Sequence, residues 1–469
     1  MKLVKSLLLG SAAGIAAVAS AQAADLPTRK AAPVEYVRVC DAFGAGFFYI
    51  PGTDSCIRIS GRVRAEYSWT NTRAYGTPVA AGTTFALNTR TGAVVPTVVA
   101  PGTFNVNSGQ SLDQIGLRAR GRMNFDVRTQ TSWGVLRTYV RYELTHNTGG
   151  TYNTGDTSSL SYGFIQFAGI TAGRAQSMFD FYANNWNYGT LRGSDNNPNL
   201  LAYTATFGGG FSATISLEDP TDRGWSVTNV GAATAAMTGV RYPDVIGALR
   251  VDQGWGSAQL SGAYGNRTTY ASTRVGAYKK DYDTWAVKGG LQLNLPMLAA
   301  GDQLWVEATY AKGNAAYLGG STYSRNAQNG IRTGYLGSNA GNFGGFPDAI
   351  AYIPAGAANY SITMNKGWSA LAAFQHYWTP SFRSVLMGSY LDLDYDNAAN
   401  ALGYRGTREW RVGGQLIWSP VKNFDIGLEL MYAKADNRVT PAMAAAIRAA
   451  GIKKDPDSIE ARLRLQRDF

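Results

Sequence analysis

The chain has 469 residues, a formal net charge of +11, 55 glycines, 12% aromatic residues and only 16% charged residues, against the ~25% usual for soluble globular domains. Past the first 23 residues no apolar run approaches the ~20 residues a membrane helix needs, so helical membrane proteins are excluded. Two histidines leave little room for imidazole chemistry.

Taken in order, Met1 to Ala23 has the form of a secretory signal peptide. Lys2 and Lys5 form the basic end, Leu7 to Ala19 the apolar stretch, and Ala21-Gln22-Ala23 a small-x-small cleavage site. The mature chain is then expected from Ala24, with a periplasmic N-terminal segment over 24–55 and a barrel over 56–469. Cys40 and Cys56 are the only cysteines, and an exported chain meets an oxidising compartment where a disulfide is expected. Closing a loop of that size contributes about 3 kcal/mol in the chain-entropy account. The alternative is two buried free thiols. No histidine or third cysteine lies near enough to suggest a metal.

The next stretches set the fold class. From Ile57 to Trp69 the odd positions are Ile57, Ile59, Gly61, Val63, Ala65, Tyr67 and Trp69, and the even ones Arg58, Ser60, Arg62, Arg64, Glu66 and Ser68. From Ile115 to Val127 the same alternation puts Arg118, Arg120 and Arg122 on one face and Leu117, Met123 and Phe125 on the other. Period two over a dozen residues is a β-strand with two unlike faces. These strands exceed the ~5–6 residues typical of globular sheets and reach the roughly 9–11 that a tilted strand needs to cross a bilayer. Without apolar helices, a closed barrel is the remaining structure that satisfies its backbone in lipid.

Counting onward, strands are expected at 56–70, 112–128, 133–145, 160–168 and from 171, then 199–207, 211–218, 244–252, 256–264, 282–294, 303–312, 367–378, 382–395, 409–419, 424–438 and 458–469. That is an all-β, 16-stranded antiparallel transmembrane β-barrel with connections short at one rim and long at the other, as single-chain bacterial barrels require. Sixteen strands leave an aqueous channel. Thr440 to Gly451 has the cap, proline and glycine stop of a short helix, with an unstructured alanine-rich loop as the alternative.

Strand parity sorts the charges. Arg58, Arg62, Arg64, Arg118, Arg120, Arg122, Arg128, Arg137 and Arg141 share the polar faces of the first three strands, and Arg462 and Arg464 that of the last. An arginine facing lipid at mid-membrane costs about 2–4 kcal/mol, so these are expected to line the pore. The non-alternating stretch Ser177 to Pro198 holds Phe179, Phe181, Tyr182, Trp186 and Tyr188, with Asp180 and Asp195 its only carboxylates. Folded inward as a constriction loop, it would bury the aromatics and aim both aspartates at the arginines, a transverse field that sets ion preference. The alternative is a loop on the surface or over a neighbouring subunit.

Two stretches then resemble the alphaproteobacterial general porin family. They are Val39 to Tyr67 (VCDAFGAGFFYIPGTDSCIRISGRVRAEY) and Gln166-Phe167-Ala168-Gly169 leading into Gly173 to Tyr182 (GRAQSMFDFY). The resemblance runs from Ala24 to Phe469 and implies a sixteen-stranded outer-membrane barrel, a homotrimer, and passive diffusion of small hydrophilic solutes past a constriction loop after the fifth strand. One departure is Arg467, which occupies an apolar-parity position two before the terminal Phe469. Outer-membrane lipid and lipopolysaccharide are the expected surroundings. Neither a cofactor, a metal nor nucleic acid is expected, since the arginines lie on a face that a barrel hides. Catalysis is not expected either: His146 and His376 are read as ordinary surface or interface residues, without the serine and orienting partner a hydrolase needs. The rivals are a sugar- or oligosaccharide-selective channel of the same fold, using aromatics of Gly313 to Lys366 and of the constriction loop, and a surface β-protein for adhesion. The sign of ion selectivity is left open.

Overall fold

A computed structural model describes residues 38–71, 75–78, 82–87, 94–99, 104–107, 114–149, 154–229, 235–237, 240–273, 276–320, 348–352, 360–395, 404–449, 454–455 and 457–469. The expected signal peptide, the start of the mature chain and Gly451 lie outside these residues. Two units are distinguished, one ending at Ile57 and one from Arg58 to Phe469.

In the first unit Cys40 and Cys56 form a disulfide. Both half-cystines and Phe47 are buried together, and Phe48–Tyr49 pairs antiparallel with Ile57 and Cys56.

The second unit is a closed sheet. Its strands, the first of which begins within the smaller unit, are β1 (Ser55–Thr70), β2 (Ile115–Thr131), β3 (Gly134–Gly149), β4 (Gly155–Phe167), β5 (Ile170–Arg174), β6 (Asn199–Gly208), β7 (Phe211–Glu218) and β8 (Asp244–Gln253). They continue as β9 (Gly256–Thr273), β10 (Gly276–Asn294), β11 (Gln303–Lys312), β12 (Ser361–Thr379), β13 (Phe382–Tyr395), β14 (Tyr404–Val421), β15 (Phe424–Val439) and β16 (Asp457–Asp468). Each pairs with its neighbour and β16 pairs back on β1, with Arg62 opposite Asp468 and Glu66 opposite Arg464. All sixteen expected strands are present.

The differences lie at the ends. The fourth strand starts earlier, at Gly155, and turns to the fifth through Ala168 (φ 48°) and Gly169 (φ 83°), one residue before the expected turn. Two successive positive φ values suit the right-handed twist of a two-residue hairpin. The ninth and tenth strands run far past the expected ends, pairing from Gly256↔Leu293 out to Thr273↔Gly276. The first long connection carries its own hairpin arms, Tyr75–Pro78 with Phe104–Asn107 and Gly82–Leu87 with Val94–Val99. Pro441–Ala449 is helical, as the cap and proline signals indicated.

Two close approaches need glycine. At the turn between β6 and β7, Gly210 has φ 81°, and a Cβ there would stand 1.9 Å from the Asp252 carbonyl. At Gly61 a Cβ would lie 2.4 Å from the ring of Phe469, whose backbone bonds Gly61 in both directions at 2.8 and 3.0 Å. Nearby, Arg467 donates to the Lys422 carbonyl at the turn between β14 and β15, so its charge sits at the rim and not in the apolar belt.

The faces follow parity. Ile59, Val63, Tyr67 and Trp69 of β1, Leu117 and Met123 of β2, and Tyr142 and Leu144 of β3 are exposed outward, while Glu66, Ser68, Thr70, Arg118, Asp126 and Glu143 are buried inward. A one-residue slip of β2 would turn three arginines to lipid, so roughly 6–12 kcal/mol opposes it.

Candidate functional site

The connection after β5, residues 175–198, folds into the barrel. Four inward carboxylates hold it. Glu218 of β7 accepts from Ser177 Oγ at 2.7 Å and from the Met178 amide at 2.9 Å. Glu307 of β11 accepts from the Tyr182 amide at 3.1 Å. Glu429 of β15 takes the Tyr188 and Gly189 amides at 2.7 and 2.6 Å. Glu409 of β14 receives Arg192 through two bonds, at 2.8 and 2.6 Å. Buried carboxylates persist only when hydrogen-bonded or paired, and each of these has found its donors on the loop.

Phe179, Phe181 and Tyr182 are buried against the wall, while Tyr188 lines the passage. Phe179 meets Tyr317 edge-on at 4.7 Å, Phe181 packs on Trp305 at 4.9 Å, and Tyr182 lies 5.7 Å from the same indole. Asp180 departs from the expectation that both aspartates face the arginine wall. Its Oδ2 accepts from Gln176 Nε2 at 2.6 Å and the Asn196 amide at 2.7 Å, its Oδ1 lies 4.0 Å from Arg223, and its side chain is fully enclosed. The backbone it caps would otherwise be unsatisfied, so the loop uses this carboxylate internally. Asp195 does reach the passage. It is half-buried, accepts from Asn184 Nδ2 at 3.1 Å and Gln176 Nε2 at 3.3 Å, and burial together with the neighbouring Asp180 charge pushes its pKa up to about 6.

A second segment also turns inward. The connection after β11, expected as a long loop from Gly313 to Lys366, begins with a buried turn, Ala315–Leu318. Tyr317 donates to Asp244 at 2.9 Å, Arg223 lies 4.1 Å over the Tyr317 ring, and Arg192 reaches the Gly319 carbonyl at 2.7 Å. Most of the remainder, 321–347, lies outside the described residues.

All eleven expected pore arginines point inward, but they are not a bare basic wall. Glu66 takes Arg464 at 2.7 Å and Arg118 at 3.4 Å. Glu143 takes Arg122 at 2.5 Å and Arg120 at 3.6 Å. Asp126 takes Arg137 at 3.0 Å and Arg128 at 2.8 Å, with Arg58 at 3.9 Å. Arg62 meets Asp468. Arg462 is buried between Glu460 and the Tyr188 carbonyl, and Arg464 lies 3.7 Å over the Tyr188 ring. Arg118 and Arg462 thus brace the wall as well as lining the cavity. Arg64 bonds Gln466 at 2.9 Å, and Arg141 bonds Asn124 at 2.9 Å and the Tyr139 hydroxyl at 3.0 Å. Among the described residues neither of these two has a carboxylate partner.

Between this wall and the loop lies a cavity of about 470 Å³, lined by nine arginines against Glu143, Asp195 and Asp222. The loop contributes Asn184, Asn185 and Asn187 to it, polar residues that no motif singled out, together with Tyr188, one of the expected loop aromatics. A second chamber of about 590 Å³ carries Arg58, Arg137, Arg141 and Arg250, and the two share Arg141, Tyr162 and Gln176. Arg174 and Arg250 were also missed, because each stands alone on its strand. The histidines sit apart: His146 bonds Asp156 at 2.5 Å and His376 bonds Asp302 at 2.6 Å. Among the described residues no three His, Cys, Asp or Glu side chains gather as a metal site.

The sequence matches the family model described as a porin subfamily over residues 25–460. Porin Omp2b of Brucella suis biovar 1 (strain 1330) is 30% identical over 323 residues, covering 66% of this chain and 74% of that protein. Porin Omp2b of Brucella abortus (strain 2308) gives the same figures. Among solved structures, the outer membrane channel DcaP of Acinetobacter baumannii superposes with a TM-score of 0.57 at 14% identity, over 90% of this chain and 99% of that one. With an inward loop beside a charged lumen in a closed sixteen-stranded barrel, the chain belongs to the porin subfamily that includes these alphaproteobacterial relatives, and it is an outer-membrane channel for passive diffusion of small hydrophilic solutes and ions.

Proposed function

We propose that this porin is a general diffusion channel that prefers anions, and that it performs no chemistry. The observation that carries this is the charge balance of the eyelet: nine lining arginines against Glu143, Asp195 and Asp222 in the lining and Glu66, Glu460 and Asp468 paired behind it, with Arg64 and Arg141 held by neutral partners. Nine arginines against these six carboxylates leave a local positive excess. A ring of one sign at a narrow point favours the opposite ion. The arginines named from the sequence set the potential, Asp195 moderates it, and the loop-tip asparagines bound the opening. Phe179, Phe181, Tyr182 and Asp180 hold the loop in place. The burial of those aromatics removes the stacking path that a sugar-selective channel would use there. In a planar bilayer under a KCl gradient the reversal potential is expected on the chloride side; a potassium preference would contradict the reading.

We further propose a homotrimer. β5 has 5 residues and β7 has 8, fewer than the roughly 9–11 needed to span a bilayer. That sector, with Leu201, Tyr203 and Ile215 exposed outward, is suited to a second copy of the chain, and the remaining belt to lipid and lipopolysaccharide. Leu201→Cys should cross-link between copies, whereas Leu416→Cys, exposed on β14, should not. The disulfide unit at 38–57 is assigned to the periplasm.

A further inference from the structure

The chamber of about 590 Å³ has a feature that passive ion flow does not require. Three aromatic rings line it. Tyr139 and Phe164 stack with centroids 5.3 Å apart, and Tyr162 stands edge-on to both, at 6.2 and 6.4 Å. Phe164 lies on the inward parity of β4, with Ile165 beside it facing out. Tyr162 and Phe164 pack on Ala175, Leu200 and Ala202, and all three rings border the chamber. Guanidinium groups lie over the rings, Arg137 at 5.1 Å from Tyr139 and Arg141 at 4.6 Å from Tyr162. Arg137 is neutralised by Asp126. Arg141 is not, since Asn124 and the Tyr139 hydroxyl are neutral acceptors.

We propose that this chamber is a transit subsite for planar aromatic carboxylates. The ring of the solute lies against Tyr139, Tyr162 and Phe164, and its carboxylate turns to Arg141, at the junction with the eyelet. Ring contacts favour offset or edge-on aromatic geometry, and a guanidinium serves both a carboxylate edge and an aromatic face. An inorganic anion would use only the arginine; an aliphatic acid would lack the ring contact. The chamber adjoins the eyelet through Arg141, Tyr162 and Gln176, so a solute slowed there passes on along the channel, as conduction requires.

The inference rests on the anion-preferring reading, and one bilayer experiment separates the two. Benzoate and cyclohexanecarboxylate, equal in charge and similar in size, are added to both sides while KCl current is recorded. Benzoate is expected to half-block at a concentration about fivefold lower. Tyr139→Leu with Phe164→Leu should erase that difference, and Arg141→Gln should weaken both blockers. Phe164→Leu alone, close in volume, should narrow the difference if the double variant does not assemble. Equal blocking in the unaltered channel, or a difference that survives loss of the rings, overturns the subsite while leaving chloride preference intact. Potassium preference in the salt gradient overturns the anion reading instead.

Discussion

The inner face of β1 to β3 and the inner face of β13 to β15 obey the same alternation and end in opposite states. The first presents arginines and their carboxylates to a water-filled cavity. The second presents Val385, Met387, Leu391 and Leu393 on β13 and Met431, Ala433 and Ala435 on β15, all buried, with Glu409, Arg411 and Gln415 of β14 and Glu429 of β15 turned to the loop that covers them. An apolar inner face cannot remain wet without losing the free energy of its burial, about 25 cal/mol per Å². The constriction loop and the turn at Ala315–Leu318 cover it, and the passage is confined to the arginine side. In this barrel, composition of the inner face decides where the lumen is filled and where it is open.

The largest expected effect breaks the covered side. Glu409→Ala would leave Arg192 and Arg411 buried without their carboxylate, a loss of about 3–5 kcal/mol. It should lower the temperature at which the barrel unfolds in gel mobility and add current noise as the loop detaches. Arg120→Ala, whose ion pair with Glu143 is partly open to water, should cost about 1 kcal/mol or less. On the open side, Arg141→Gln should lower the chloride-to-potassium permeability ratio by up to about tenfold, about threefold from each ion, the worth of one charge roughly 6 Å from a permeating ion in a water-like medium. Arg64→Gln should act in the same direction.

Smaller still is the pH response of Asp195. Its pKa of about 6 makes it mostly neutral at pH 5 and mostly charged at pH 7, so a negative charge enters the eyelet as pH rises. Chloride preference should therefore fall by about twofold between these values. Asp195→Asn should abolish the change and hold the acid-side preference throughout. Asp180→Asn should shift the reversal potential least, because that carboxylate is enclosed and faces Arg223.

The strands were legible because lipid imposes a strict two-residue period on one face, and the arginine register because exposing those charges is so costly. Loop ends and the long β9–β10 hairpin were not, since beyond the membrane nothing enforces alternation. The constriction loop was found from its aromatics, but Asp180 was misplaced: composition places a carboxylate on a loop without saying which backbone amides it caps. The anchoring glutamates carried a signal that was available. Glu429 shares its inward face with Met431, Ala433 and Ala435, a pattern unsuited to water and suited to a covering segment. The interleaving of arginines with Glu66, Asp126 and Glu143 was also visible in parity, though the cross-strand pairs that neutralise them depend on register.

The central claim, that solutes pass along the arginine wall while the opposite inner face is sealed, can be tested by thiol accessibility in the conducting channel. The described residues hold no free cysteine to interfere. A small anionic thiol reagent applied to Arg120→Cys should reduce the current at once, and applied to Ala433→Cys, beneath the loop, should leave it unchanged. Equal and rapid reaction at both positions would contradict the account.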